Sequence, residues 1–162
     1  KIFILIGKYI IINESWFISI NHWYMIENFN GIFNLILNTL ILLLFAVYTF
    51  RILLAPDGIA KEFNVDKSGI FIIRYLGCFS LSALLVGLWI LFRPMGPTGT
   101  WPYYNFIFLT AIFNLIYDLS YYFKIIDKDI GAKNSRMDLI VSTFLTASSA
   151  ILILNLSDKL YL

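Results

Sequence analysis

Two charged residues stand well inside long apolar stretches, and they are the first residues to consider for chemistry. Arg74 follows the start of one stretch and Asp118 precedes the end of another, so we expect them at matching depth on neighbouring helices. An ionisable residue near the middle of a membrane helix costs roughly 2.5 to 3.5 kcal/mol on insertion scales. Such a residue therefore pairs, lines a cavity or reaches the interface.

Three interpretations of this pair are open. In the first, Arg74 extends its stem to the headgroups while Asp118 bonds to Tyr121, Tyr122 or water. In the second, Arg74 and Asp118 form a buried ion pair that fixes the register of two helices. In the third, they form the polar floor of a pocket or a proton-linked site, with Asn114 one turn deeper than Asp118 on the same helical face.

Other catalytic and metal-binding patterns are missing from the sequence. The single histidine, His22, and the single cysteine, Cys78, offer too few ligands for a zinc site or a bis-histidine haem. Residues 96–99, Gly-Pro-Thr-Gly, lack the lysine of a phosphate-binding loop. We therefore predict no metal, no cofactor and no catalytic residue.

The composition indicates an integral membrane protein. Of 162 residues, 60% are hydrophobic and 14% are charged, whereas soluble domains average about 25% charged. The net charge of +2 gives no reason to expect a nucleic-acid partner. Four stretches are long enough to cross a bilayer as helices, and turn residues or charges separate them. The predicted fold is an all-α bundle of four transmembrane helices over residues 31–162, with spans at about 31–54, 69–92, 103–126 and 138–156.

Residues 1–30 form a separate N-terminal arm in this prediction. The arm contains a short apolar run and a segment rich in Trp and Tyr, which favour the membrane interface.

The orientation follows from the basic residues. Seven lie in or beside the first and third loops, against Arg93 in the second loop. The positive-inside rule therefore predicts a bacterial inner membrane, or an organelle membrane, with both termini on the outer side. The seven are Arg51, Lys61, Lys67, Lys124, Lys128, Lys133 and Arg136.

Small and polar residues at helical spacing predict close packing between helices. Their side chains let backbones approach or bond across a helix interface. This pattern favours a compact bundle, protein partners in the membrane or a homo-oligomer. The residues are Asn34, Asn38, Gly77, Ala83, Gly87, Ser142, Thr146 and Ala150.

One part of the chain resembles a known family. Residues 50–65 read Phe-Arg-Ile-Leu-Leu-Ala-Pro-Asp-Gly-Ile-Ala-Lys-Glu-Phe-Asn-Val, and Arg74-Tyr-Leu-Gly77 follows. This arrangement resembles the small bacterial DoxX-like four-helix membrane proteins, in which a proline turn ends the first helix and an Arg precedes a glycine in the second. The resemblance implies the four-helix fold and assigns no catalytic residue, since many members have no known activity.

The leading functional hypothesis is a non-enzymatic membrane protein, either an accessory or assembly subunit of a larger membrane complex or a small lipophile-binding module. One alternative is a proton-linked transporter or channel component that uses Arg74 and Asp118. Another is a membrane enzyme of unknown chemistry, in which Asp118 would act as general acid or base.

Overall fold

The structure, a computed structural model, describes residues 24–127 and 136–162. Most of the predicted N-terminal arm and the residues around Lys128 and Lys133 lie outside this part. Throughout the described ranges the regular structure is helical, without strands. The long helices are α1 (Ile32–Leu54), α3 (Ile70–Phe92), α4 (Trp101–Tyr122) and α5 (Arg136–Asn155), and the short ones are α2 (Pro56–Glu62) and α6 (Ser157–Leu160).

Local sequence explains where the helices begin and end. Pro56 and Pro102 occupy the first turns of α2 and α4, where a missing backbone N–H costs nothing. A single 3-10 turn at Lys67–Gly69 leads into α3. The helices lie close to the predicted spans, and the largest displacement is at the end of α4, which stops at Tyr122 where the prediction extended to residue 126.

Three of the helical segments are long and apolar enough to cross a membrane: α1, α3 with its preceding turn, and α5. The fourth long helix, α4, has 22 residues, or about 33 Å at 1.5 Å per residue. It is less apolar because it carries Asn105, Asn114, Asp118 and several tyrosines.

Each long helix runs antiparallel to the one before it in the chain. Helix α1 runs opposite to α3, since Ile52 lies against Gly77 and Leu42 against Gly87. It also runs opposite to α5, since Asn34 near its start bonds to Asn155 at the end of α5. Helix α1 packs on both α3 and α5, and α4 packs on α5. Helices α3 and α4 follow one another in the chain but pack less closely than these pairs and meet through side chains towards the capped end.

The bundle has two different ends. We call one the capped end, because residues 24–31, 93–100 and 155–162 fold together over it. We call the other the basic end, formed by residues 51–70 and 122–127 and the start of α5. At the basic end α2 packs beneath α1 and α3 through a small cluster of Ile52, Ile59, Ala60 and Ile73.

The main core lies towards the capped end. Most of its side chains come from α1, from the second half of α3, from α4 and from the end of α5. Large apolar side chains also cover much of the outer surface, as expected where lipid replaces water as the solvent. The buried core includes Phe29, Leu37, Ile41, Leu84, Ile90, Tyr104, Ile107, Leu152, Leu156 and Leu160.

Candidate functional site

The structure does not bring Arg74 and Asp118 together. Within the described residues no ion pair joins them, and a salt bridge connects Arg51 to Glu62 instead. Arg74 is exposed on α3, on a face that it shares with Cys78 and other exposed residues. Asp118 is half-buried on α4. Matching depth alone does not produce contact, since α3 and α4 meet through side chains nearer the capped end.

One side of α3 changes from buried to exposed along its length. At the capped end this side contacts α4: Gly87 lies against Tyr103, and Phe79 meets Phe106 with ring centroids 5.8 Å apart. Ile90 on this side is 1% exposed. Leu76 and Ile72, which the helical period places on the same side, are 57% and 62% exposed. The surface that faces α4 is therefore closed at the capped end and open towards the basic end.

The opposing side of α4 shows the same change, with polar residues at its open end. Ile107 is buried near the capped end. Asn114 and Tyr121 follow Ile107 at successive intervals of seven residues, so the helical period places them along this side. Asn114 is exposed, and Asp118 and Tyr121 are half-buried. We call the space between the two walls the α3–α4 cleft. Its walls are Ile72, Leu76 and Phe79 on α3, and Asn114 and Tyr121 on α4. Asp118 lies fourteen residues after Tyr104, on the side of α4 that faces α1.

Tyr117, near the basic end of α4, bonds to the segment that follows this helix. The Tyr117 hydroxyl donates a hydrogen bond of 2.9 Å to Oδ2 of Asp127. The α3–α4 cleft therefore has an apolar wall on one side and a wall with polar residues on the other.

The two asparagines predicted on α1 face the core and bond to other helices. Nδ2 of Asn155 on α5 donates to Oδ1 of Asn34 at 2.9 Å. Asn34 donates in turn to the backbone oxygen of Phe29 at 2.9 Å. The Tyr104 hydroxyl on α4 donates to Oδ1 of Asn38 at 3.0 Å, while Nδ2 of Asn38 has no partner among the described residues.

The capped end contains hydrogen bonds that the sequence pattern did not indicate. Asn30 donates to Asp158 at 2.8 Å, and Asn28 donates to the backbone oxygen of Pro94 at 2.8 Å. The backbone N–H of Gly99 donates to the carbonyl of Lys159 at 2.9 Å. Three segments far apart in the chain are thereby joined into one surface. No local spacing rule predicts which of them pair.

The small residues predicted for packing lie in several environments. Gly77 and Gly87 are buried where α3 approaches α1, and Ala83 is half-buried between them. On α5, Ser142 is buried, while Thr146 and Ala150 are half-buried. A further contact between α1 and α3 is not indicated by the sequence pattern: the hydroxyl oxygens of Thr49 and Ser80 lie 2.6 Å apart.

The described residues contain no group of three His, Cys, Asp or Glu side chains that could hold a metal ion. Cys78 is exposed on α3, and His22 lies outside the described ranges. Comparison of the chain with models of known families, with curated proteins and with solved structures finds no match. The DoxX-like resemblance therefore stays a prediction.

Proposed function

We propose that this protein is a non-catalytic membrane protein whose four long helices all cross the bilayer, and that it binds a lipophile in the α3–α4 cleft. The observation that carries the proposal is the pairing of an exposed apolar wall with Asn114, a polar side chain exposed in the middle of a membrane-length helix. A polar group at that depth is stabilised only by a polar partner or water.

The two faces of α4 support its crossing of the membrane. Its polar residue Asn114 lies on the side of the cleft, and Asp118 is half-buried towards α1. The opposite face exposes Leu109 and Ile116, which suit contact with lipid tails. Trp101 begins the helix at the capped end, at the position of an interfacial anchor.

The proposed orientation places the basic end in the cytoplasm, because positive residues concentrate there. In this arrangement both the capped end and the C-terminal helix α6 lie on the outer side of a bacterial inner membrane or an organelle membrane. The exposed apolar faces of α1 and α3 could pack against helices of partner proteins. A lipophile-binding protein of this kind can therefore also be an accessory subunit of a larger membrane complex. The proton-linked alternative draws no support from any contact between Arg74 and Asp118 in the described residues.

A tryptophan placed in the cleft tests this function. Leu76 and Leu85 lie on the same helix and are both 57% exposed, but nine residues separate them, so they occupy opposite faces. The protein would be purified in mild detergent without added lipid, and bound lipid would be measured by native mass spectrometry. We expect the wild type and Leu85→Trp to retain lipid and Leu76→Trp to lose most of it. Equal retention by both variants, or a lipid-free wild type, would contradict lipophile binding in the cleft.

A further inference from the structure

The amide of Asn38 contains a buried hydrogen-bond donor that the described residues leave without an acceptor. Asn38 is 4% exposed, and its Oδ1 accepts a hydrogen bond of 3.0 Å from the hydroxyl of Tyr104, which is 3% exposed. Nδ2 of Asn38 has no partner among the described residues. A buried N–H group is destabilising unless an acceptor reaches it, so this amide needs one more contact.

The position of Asn38 limits where that acceptor comes from. Asn38 lies six residues after Ile32, or about 9 Å inside the start of α1, within the part of the bundle that holds the main core. Neither bulk water nor lipid tails supply an acceptor at a buried site of this kind. Asn34, one turn earlier and 5% exposed, solves the same problem within the protein, because its Nδ2 donates to the backbone oxygen of Phe29 at 2.9 Å.

The Tyr104 hydroxyl offers a second contact to whatever accepts from Asn38. Its proton is donated to Oδ1, so its oxygen still accepts a hydrogen bond. Oδ1 and Nδ2 of Asn38 are bonded to the same carbon, and two hydrogen bonds in series span roughly 5 to 6 Å, so one small molecule can reach both Nδ2 and the Tyr104 oxygen. That molecule must accept one bond and donate another. Water does both, whereas an ester carbonyl has no proton to donate.

We infer that Asn38 and Tyr104 hold one internal water molecule, which accepts from Nδ2 of Asn38 and donates to Oη of Tyr104. With the bond from Tyr104 to Oδ1, the contacts form a closed ring in which each hydrogen bond polarises the next. The ring joins α1 to α4 near the capped end of the bundle. This water site does not depend on lipophile binding in the α3–α4 cleft.

The test is a crystal structure of the whole protein, grown in a lipid phase, at a resolution that shows ordered water. We expect an oxygen peak within hydrogen-bond distance of both Nδ2 of Asn38 and Oη of Tyr104. Nδ2 of Asn34 is the internal control and should contact protein oxygens only. A wild-type structure without the peak, or with Nδ2 of Asn38 bonded to a protein acceptor, would overturn the inference.

Two variants then test the shared site. Tyr104→Phe should lose the water, because it removes one of the two groups that hold it. Tyr103→Phe removes the neighbouring hydroxyl and should keep the water. A peak that persists in Tyr104→Phe, or one that disappears in Tyr103→Phe, would contradict a water held by Asn38 and Tyr104 together.

Discussion

The hydrogen bond between Tyr104 and Asn38 shows how a polar side chain is accommodated in the core. Asn38 is 4% exposed, and its only side-chain partner among the described residues is the Tyr104 hydroxyl. A buried polar group without a partner costs about 1 to 3 kcal/mol. Tyr104 therefore stabilises the amide of Asn38 as well as filling space between α1 and α4.

Tyr104→Phe should lower the free energy of unfolding by about 1 to 2 kcal/mol, because it leaves both ends of the Asn38 amide unpaired. Thermal unfolding in one detergent, followed by circular dichroism, measures the change. Tyr103→Phe is the matched control, since its neighbouring hydroxyl makes no hydrogen bond within the described residues, and it should shift stability much less. If adding Asn38→Leu to Tyr104→Phe recovers no stability, the orphaned amide is not the cause.

At the scale of the helices, glycines determine how closely α3 can approach its neighbours. A Cβ atom on Gly87 would overlap Oη of Tyr103 and Cδ2 of Leu42, from α4 and α1 respectively. A Cβ atom on Gly58 of α2 would meet nothing within 4 Å. The two positions therefore separate the effect of packing from the effect of removing a flexible glycine.

Gly87→Ala should destabilise the bundle by about 1 to 3 kcal/mol, because the extra methyl group forces α3 away from α1 and α4. Gly58→Ala should be neutral or stabilising by up to about 1 kcal/mol, since alanine favours the helical state and has room at this site. Unfolding midpoints of both variants under identical detergent conditions provide the measurement. A Gly87→Ala protein as stable as the wild type would show that this contact is loose.

Helix positions were predictable because they depend on local signals. Charges, prolines and glycines interrupt the apolar stretches, so the ends of α1 and α3 lie within a residue of the predicted spans. Contacts between distant residues were not predictable in the same way. Asn30 and Asp158 are separated by 128 positions, and nothing in either segment identifies its partner.

The candidate site illustrates the same limit. Asp118 and Asn114 stand out in the sequence because they are polar within an apolar stretch. The expectation that Arg74 is the neighbour of Asp118 requires consecutive helices to pack side by side. In the structure α3 packs on α1 and α4 packs on α5, so the partner of Asp118 could not be read from helix order.

At the scale of the whole molecule, this packing gives a bundle whose segments are hydrogen-bonded together at the capped end and whose helices α3 and α4 are separated towards the basic end. Hydrogen bonds join residues 24–31, 93–100 and 155–162 at the capped end. The α3 and α4 walls separate towards the basic end, where the carboxylates lie. The lipophile-binding proposal requires this open region to lie inside the bilayer, and therefore requires α4 to cross it.

The most direct test of this requirement is labelling of single cysteines with a membrane-impermeant maleimide in sealed, oriented vesicles. In a Cys78→Ser background, cysteine would replace Asp57, Met95, Ile125 or Leu162, all of which are exposed and lie outside the long helices. We predict that Asp57→Cys and Ile125→Cys are labelled from one side of the membrane, and Met95→Cys and Leu162→Cys from the other. Labelling of Met95→Cys and Ile125→Cys from the same side would show that α4 does not cross, and would contradict a lipid-binding cleft between α3 and α4.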